Sequence, residues 1–179
     1  DLSQEALDRY ITRAQLTCEA NSREFHELLL KQKLLARNES GELTPTGWGL
    51  LLFGKNPRLT HPQAVVKAEV YHEYTEPRIK DFDGPLVLMP ERIEKWLRAA
   101  IPSAISREQF GRSENYEYPI PVLREAIINA IVHRDYDIPE AKIYIVIEDD
   151  KITVKSPGNP VTPVKWEDFK ALKALSLSR

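Results

Sequence analysis

Residues 124–155 of this 179-residue chain, REAIINAIVHRDYDIPEAKIYIVIEDDKITVK, contain two different hydrophobic patterns in succession. The first is an apolar run of helical length. The second alternates isoleucine and valine with other residues on both arms of an acidic turn at Asp149 and Asp150. Alternation around a turn is typical of a β-hairpin, and a run that is apolar on almost every face is typical of a buried helix. These residues therefore predict a helix followed by two antiparallel strands.

Three polar side chains follow one another at four-residue spacing along the predicted helix: Glu125, Asn129 and His133. On a helix they fall within an arc of about 80°. We expect this stripe to be buried, because only three residues of the segment are predicted to face solvent: Arg124, Arg134 and Asp135. An unpaired polar group in a protein interior is costly, so the stripe requires either local partners or a cavity.

The residues leave two interpretations of this stripe open. In the first, the polar groups are satisfied locally: Glu125 by an arginine, Asn129 by a nearby loop, and His133 by the helix C-terminus, where a cation suits the helix dipole. In the second, the stripe is the floor of a cavity. Glu125 would then act as a general base, and Asn129 would be a ligand of a metal ion or a phosphate.

The first 57 residues predict a helical, winged-helix-like subdomain. A helix capped by Ser3, a second helix after Ser22 and a turn at Ser40 and Gly41 give the order helix, helix, small hairpin. Units of this kind can contact DNA, but the second predicted helix is not basic. DNA contact and a packing role both remain open for residues 1–57.

Residues 58–179 predict a two-layer α+β sandwich in which a mixed sheet packs on helices. Residues 62–74 alternate as a strand does, and a helix beginning near Pro90 carries an apolar face that we expect to be buried. That face consists of Ile93, Trp96, Leu97, Ala100 and Ile101. Residues 74–86 are predicted to be a polar loop, and residues 106–119 to be irregular with at most an edge strand.

A last amphipathic helix is predicted where Thr162 provides a cap and Pro163 the first turn. Its apolar residues follow at spacings of three: Trp166, Phe169, Leu172 and Leu175. The chain begins with Asp1 and ends within this helical pattern, so we expect it to be a piece of a longer protein.

The composition limits the setting in which this chain works. The formal net charge of −2 provides no overall field that would attract nucleic acid or an acidic membrane. The single Cys18 excludes an internal disulfide and a cysteine-based zinc cluster, and the four histidines lack metal-ligand spacing. Apolar runs are much shorter than the ~20 residues of a membrane span. These features predict a cytoplasmic protein without a membrane partner.

The segment EAIINAIVH, residues 125–133, resembles the N-box of the GHKL ATPase superfamily, which includes gyrase, Hsp90, histidine kinases and MutL. Three blocks occur in the expected order and extend the resemblance over most of the chain: LTPTGWGLLLFGKNP, YPIPVLREAIINAIVHRDY and IEDDKITVKSPGNP. Together they are similar to the C-terminal region of transcriptional regulators and RecG-related "helicases", which usually follows a Schlafen/AlbA-type domain. No helicase motor motif occurs in these residues.

The resemblance implies a truncated GHKL-like domain with ATP and Mg²⁺ as its cofactors. It gives Glu125 the role of the general base that activates water, and Asn129 that of the Mg²⁺ ligand. His133 lies where histidine kinases often have His or Tyr. Ser156 and Gly158 occupy the adenine-binding motif, but Ser156 replaces the Asp that would bind the adenine amino group.

The same resemblance places the ATP lid and the second glycine-rich motif beyond Arg179. Without them, and without the Asp, we expect an ATPase-like chain that senses a nucleotide or relays a signal and does not itself catalyse hydrolysis. Two alternatives stay open: a structural or oligomerisation module that forms homo-oligomers, and DNA binding through residues 1–57.

Overall fold

The computed structural model describes residues 1–71, 76–101, 103–108, 111–116, 119–148 and 151–158, with the backbone alone for 103–108 and 111–116. Two sequence predictions lie outside these residues. They are the turn at Asp149 and Asp150 and the amphipathic helix that begins at Thr162.

The N-terminal part of the chain contains five elements, in this order: α1 (Gln4–Arg13), α2 (Arg23–Lys31), β1 (Leu35–Arg37), β2 (Leu43–Pro45) and α3 (Gly47–Phe53). The Ser3 and Ser22 hydroxyls accept hydrogen bonds from backbone N–H groups of the first turns of α1 and α2, which fixes where these helices begin. The order agrees with the predicted helix, helix and hairpin. The domain boundary at residue 57 stays a prediction.

The described residues after α3 form eight helices and strands: β3 (Val66–Val70), β4 (Arg78–Phe82), α4 (Met89–Ala100), β5 (Ser103–Glu108), β6 (Gly111–Tyr116), α5 (Ile120–Val132), β7 (Ile143–Ile147) and β8 (Ile152–Lys155). Short 3₁₀ turns at Pro57–Leu59 and Leu86–Leu88 connect them. Within the described residues, every helix falls short of the length and apolar character that a membrane crossing requires.

Four strands form one mixed sheet in the order β4-β3-β7-β8. The central pair, β3 and β7, is parallel, and both outer pairs are antiparallel. Every second residue of β3 and β7 is buried, as in a sheet with one covered face. The buried residues join Ile93 and Leu97 of α4 and Ile127 of α5 in a single core. The predicted α+β sandwich, with a mixed sheet packed on helices, is confirmed.

A second cluster of buried side chains holds the N-terminal elements together around Phe25, Leu29 and Phe53. Leu88, from the 3₁₀ turn before α4, packs into the same cluster. Helix α3 joins the two cores, because Leu51 belongs to the sheet core while Phe53 belongs to the N-terminal one.

Two predictions about strands were wrong. The predicted loop 74–86 contains β4, in which Phe82 alone is buried, so the strand lacks the alternation that would have marked it. The stretch predicted as irregular with at most an edge strand, residues 106–119, contains β6 and the second half of β5, which pair with each other. These two strands pair with each other in a separate two-stranded sheet, outside the four-stranded one.

Candidate functional site

Helix α5 carries the predicted polar stripe. It begins after Pro119 with Ile120 and Pro121, where a missing N–H costs nothing because the first-turn donors have no partner within the helix. It ends at Val132, and the next N–H, that of His133, donates to the Asn129 carbonyl at 2.9 Å. Its inner face lies on the sheet core.

The stripe lies on the solvent face of α5. Glu125, Asn129 and His133 are all exposed, so the prediction that they are buried was wrong. The physical reason is that α5 also exposes apolar residues, Val122 at 62% and Val132 at 64%. An apolar composition therefore overstated how much of this helix is covered.

Within the stripe, Asn129 Nδ2 donates to Glu125 Oε1 over 3.2 Å. We expected an arginine to pair with Glu125. The neighbouring Arg124 pairs instead with Glu94 of α4 at 3.0 Å. The four-residue spacing thus brings a carboxylate and an amide into contact on an open surface.

Arg134, predicted to face solvent, is 4% exposed, so this prediction was also wrong. Its guanidinium donates to the carbonyl oxygens of Asp135 at 2.6 Å, Ile138 at 2.9 Å and Ala141. It also lies 4.7 Å from the centre of the Tyr136 ring. Burial lowers the pKa of Arg134, because its charged form loses hydration. The loop after α5 closes around this cation and supplies its acceptors.

Tyr136 attaches the same loop to the rest of the fold. Its hydroxyl donates to the Ile131 carbonyl at 2.9 Å, and its ring meets Trp48 of α3 edge-on at 6.1 Å. Gln63 Nε2 donates to the Tyr136 carbonyl at 2.6 Å. Burial raises the pKa of Tyr136 to about 12, against an opposing effect of Arg134. The C-terminal end of α5 is therefore held from three directions.

The Ser156-Pro157-Gly158 turn packs against this end of α5. Ser156 Oγ donates to the Ala130 carbonyl at 2.7 Å, and the Asp135 N–H donates to the Pro157 carbonyl at 2.9 Å. Gly158 has a φ of +137°, and a Cβ there would lie 3.3 Å from the Asp135 nitrogen. The turn thus needs glycine both for its conformation and for the close approach.

The structure brings the predicted site residues together only in part. Ser156 and Gly158 lie beside the end of α5, where His133 is also found. Glu125 and Asn129 form their own hydrogen-bonded pair, and Glu125 lies about 7.5 Å along the helix axis from Ala130, the residue that Ser156 contacts.

An apolar groove, which the sequence did not reveal, runs beside the stripe. It has a volume of about 350 Å³ and lies between α3, the 3₁₀ turn at residues 86–88, the start of α4 and the C-terminal half of α5. The side chains along its walls include Trp48, Leu52, Val87, Pro90, Ile128 and Val132. The side chains of both walls belong to apolar runs, which predict buried residues and not an open groove. Trp48 is nevertheless 58% exposed, because of the way α3 packs against its neighbours.

The Glu125–Asn129 pair offers oxygen ligands, the type that Mg²⁺ prefers. Within the described part of the chain, no group of three His, Cys, Asp or Glu side chains could hold a metal ion. A Mg²⁺ ion at this pair would therefore complete its octahedral shell with water or phosphate oxygens, as Mg²⁺ sites commonly do.

Comparisons with known proteins bear on the fold. No protein-family model matches the sequence, and no curated protein matches it. Among solved structures, the chain is similar to the crystal structure of the DIP2311 protein from Corynebacterium diphtheriae, with a TM-score of 0.64 and 21% identity. The match covers 93% of this chain and 32% of the other, so the chain spans about a third of that protein's length. At this identity the likeness shows the fold alone.

Proposed function

We propose that this chain is a degenerate GHKL-type nucleotide-binding domain of a transcriptional regulator or RecG-related protein, and that it senses Mg-ATP or relays a signal without hydrolysing it. The observation that carries the proposal is the Glu125–Asn129 pair, which is exposed and hydrogen-bonded on a helix whose sequence resembles an N-box. Glu125 would face the γ-phosphate or its water, and Asn129 would bind the Mg²⁺ ion.

The turn at residues 156–158 supports sensing over hydrolysis. Ser156 has no carboxylate for the adenine amino group, and its hydroxyl donates to the Ala130 carbonyl. A nucleotide without a base anchor is poorly oriented for in-line attack, so binding without turnover is the expected outcome.

The test is titration of the 179-residue chain with Mg-ATP, followed by calorimetry and thermal unfolding. A ligand at one hundred times its Kd stabilises the folded state by about 2.7 kcal/mol. We expect Asn129→Ala and Glu125→Ala to abolish this shift, while Asn21→Ala, at another exposed asparagine, retains it. If the unsubstituted chain shows neither a heat of binding nor a shift in its melting temperature, the proposal is wrong.

A structural or oligomerisation module is the second candidate, and exposed apolar side chains favour it. Trp48, Leu59 and Ile79 are 58%, 84% and 59% exposed. A homo-oligomer formed through such residues would show a concentration-dependent mass in sedimentation velocity. A monomer at all concentrations, together with Mg-ATP binding, would reject this candidate and retain the first.

DNA binding through residues 1–57 is the third candidate. Helix α2 exposes charges of both signs, and Arg23 pairs with Glu27 at 2.8 Å, so its surface offers phosphate groups no continuous basic face. Gel shifts at low salt, where phosphate-driven binding is strongest, test this role. A cytoplasmic location belongs to the same set of proposals and rests on the lone Cys18.

A further inference from the structure

The apolar groove borders the Glu125–Asn129 pair along α5. Ile128, which lines the groove, lies three residues after Glu125, and Val132, which also lines it, lies three residues after Asn129. Residues three and four apart are neighbours on the surface of a helix, so the two rows lie side by side. The hydrogen-bonded pair and this wall of the groove therefore form one continuous surface.

The turn at residues 156–158 lies on the other side of the helix. Ser156 Oγ donates to the carbonyl of Ala130, which is two residues from both Ile128 and Val132 and thus about 160° around the helix from each. The Ser156 hydroxyl is already bonded there and brings no carboxylate. A nucleotide held by the Glu125–Asn129 pair would have to place its base elsewhere, and the groove is the neighbouring surface.

The groove offers a flat ring two kinds of contact. Trp48 and Val132 line it and are 58% and 64% exposed, so it is open to solvent and presents an indole face. Its lining is aliphatic and aromatic, and the Tyr136 hydroxyl already donates to the Ile131 carbonyl at 2.9 Å. Its volume of about 350 Å³ falls within the range of small-molecule sites. A heteroaromatic base can stack here while its polar edge stays hydrated.

One nucleotide can reach both places. Seven residues separate Glu125 from Val132, which is about 10 Å along the helix axis. In a nucleoside triphosphate, the ribose and the inner phosphates separate the base from the γ-phosphate by a comparable distance. With the γ-phosphate at Glu125 and Mg²⁺ at Asn129, the base lies at the end of the groove where Trp48 meets Tyr136.

We propose that the groove between α3 and α5 is the base-binding site of the nucleotide, in which a purine ring stacks on Trp48 and packs against Ile128 and Val132. The inference rests on the proposed function, because it assigns the Mg-triphosphate to the Glu125–Asn129 pair. Selection in an apolar groove follows the stacking area of the ring and not its hydrogen-bonding edge. Stacking does not fix the rotation of the ring, so binding without hydrolysis stays the expected outcome.

Calorimetric titration of the 179-residue chain with Mg-ATP, Mg-GTP, Mg-CTP and Mg-tripolyphosphate tests the base site. We expect ATP and GTP to bind with equal Kd, CTP more weakly, and tripolyphosphate roughly tenfold more weakly than ATP. Trp48→Ala should weaken Mg-ATP binding by roughly tenfold and leave Mg-tripolyphosphate binding unchanged. The matched control is Ile79→Ala on β4, which is 59% exposed against 58% for Trp48 and should change neither.

Trp48→Phe provides a second measurement in case Trp48→Ala destabilises the fold through its lost contact with Tyr136. A phenyl ring still stacks, so Mg-ATP should bind with an affinity within about threefold of the unsubstituted chain. We expect Mg-ATP to quench the tryptophan fluorescence of the unsubstituted chain, and this quenching should disappear in Trp48→Phe. Undiminished quenching in that variant would contradict stacking on Trp48.

The remaining outcomes separate this inference from the function on which it rests. If Mg-ATP binds no more tightly than Mg-tripolyphosphate and Trp48→Ala changes neither, the base site is wrong and the Glu125–Asn129 site stands. If none of the four ligands binds, both are wrong. A dimer in sedimentation velocity that Trp48→Ala dissociates, with nucleotide affinity unchanged, would assign the groove to a second copy of the chain.

Discussion

Residues 124–133 and residues 134–141 adjoin one another in the chain and are held in opposite ways. The first segment presents Glu125 and Asn129 to solvent with a single hydrogen bond of 3.2 Å between their side chains. The second buries the charged Arg134 under a loop that accepts several hydrogen bonds from it. In these two segments, a polar side chain is buried where backbone carbonyls are available to accept its hydrogen bonds. The charge of the side chain does not by itself determine whether it is buried.

The difference has a simple physical origin. Carbonyl groups in the middle of α5 bond within the helix, so a polar side chain at its surface finds only other side chains or water. The loop after α5 has carbonyls outside any helix or sheet, and a guanidinium with five N–H donors can satisfy several at once. The path of the loop therefore determines which polar residue is buried.

Of the four substitutions proposed here, Arg134→Ala should lower the free energy of unfolding most. It removes the donor of the Ile138 and Ala141 carbonyls and one of the two donors of the Asp135 carbonyl, and we expect a loss of roughly 2–4 kcal/mol in the free energy of unfolding. The control is Arg124→Ala, which removes a partly exposed ion pair and should cost about 0–1 kcal/mol. Urea unfolding followed by circular dichroism measures both, and equal losses would contradict the comparison.

Gly158→Ala should have the next largest effect, because the turn at residues 156–158 holds the loop against α5. We expect a loss of about 1–3 kcal/mol from backbone strain at positive φ and from the crowding of Asp135. Gly41→Ala is matched in having positive φ but has open space around it, so it should cost less. Thermal unfolding distinguishes the two, and a greater loss at Gly41 would refute the crowding.

Tyr136→Phe should cost about 1 kcal/mol, because the Ile131 carbonyl loses its donor. Its pH dependence has a definite sign. Since the folded-state pKa is about 12 against 10 for the free side chain, the stabilisation is complete below pH 10 and is lost as the pH rises toward 12. Unfolding free energies at pH 8, 10 and 11 should decline less steeply in the phenylalanine variant. Parallel declines would show that another group titrates.

Asn129→Ala should have the smallest effect on stability, under about 0.5 kcal/mol, because the side chain is exposed and its partner Glu125 stays hydrated. A loss above 1 kcal/mol would indicate that the stripe supports the fold. The same variant is expected to lose the thermal shift with Mg-ATP. Asn129 would then contribute to nucleotide binding and little to the stability of the fold.

Local patterns in the sequence predicted much of this fold. The apolar run before Val132 and the alternation in β7 and β8 predicted a helix and a hairpin, and capping by Ser3 and Ser22 predicted α1 and α2. Strand β4 was missed because an edge strand with four exposed residues needs no alternation. The burial of Arg134 depends on the path of the loop at residues 135–141, whose carbonyls accept from it, and no periodic pattern encodes that path.

The candidate site was predictable to a similar degree. Four-residue spacing was sufficient to place Glu125 beside Asn129. The family resemblance placed Ser156 and Gly158 in the adenine-binding motif, but their contacts with the end of α5 were not predicted. The groove required four elements to meet, including α3 from the other end of the chain, so neither spacing nor composition could reveal it.

The parallel pairing of β3 with β7 has a consequence for how the chain folds. Val66 pairs with Ile143, and β4, α4, the β5–β6 hairpin and α5 all lie between them in sequence. The centre of the sheet can close only after this long loop has been brought together, and contacts of such sequence separation form slowly. The N-terminal elements, whose partners are mostly near neighbours, should acquire hydrogen-exchange protection first. The face beneath α5 should acquire it last.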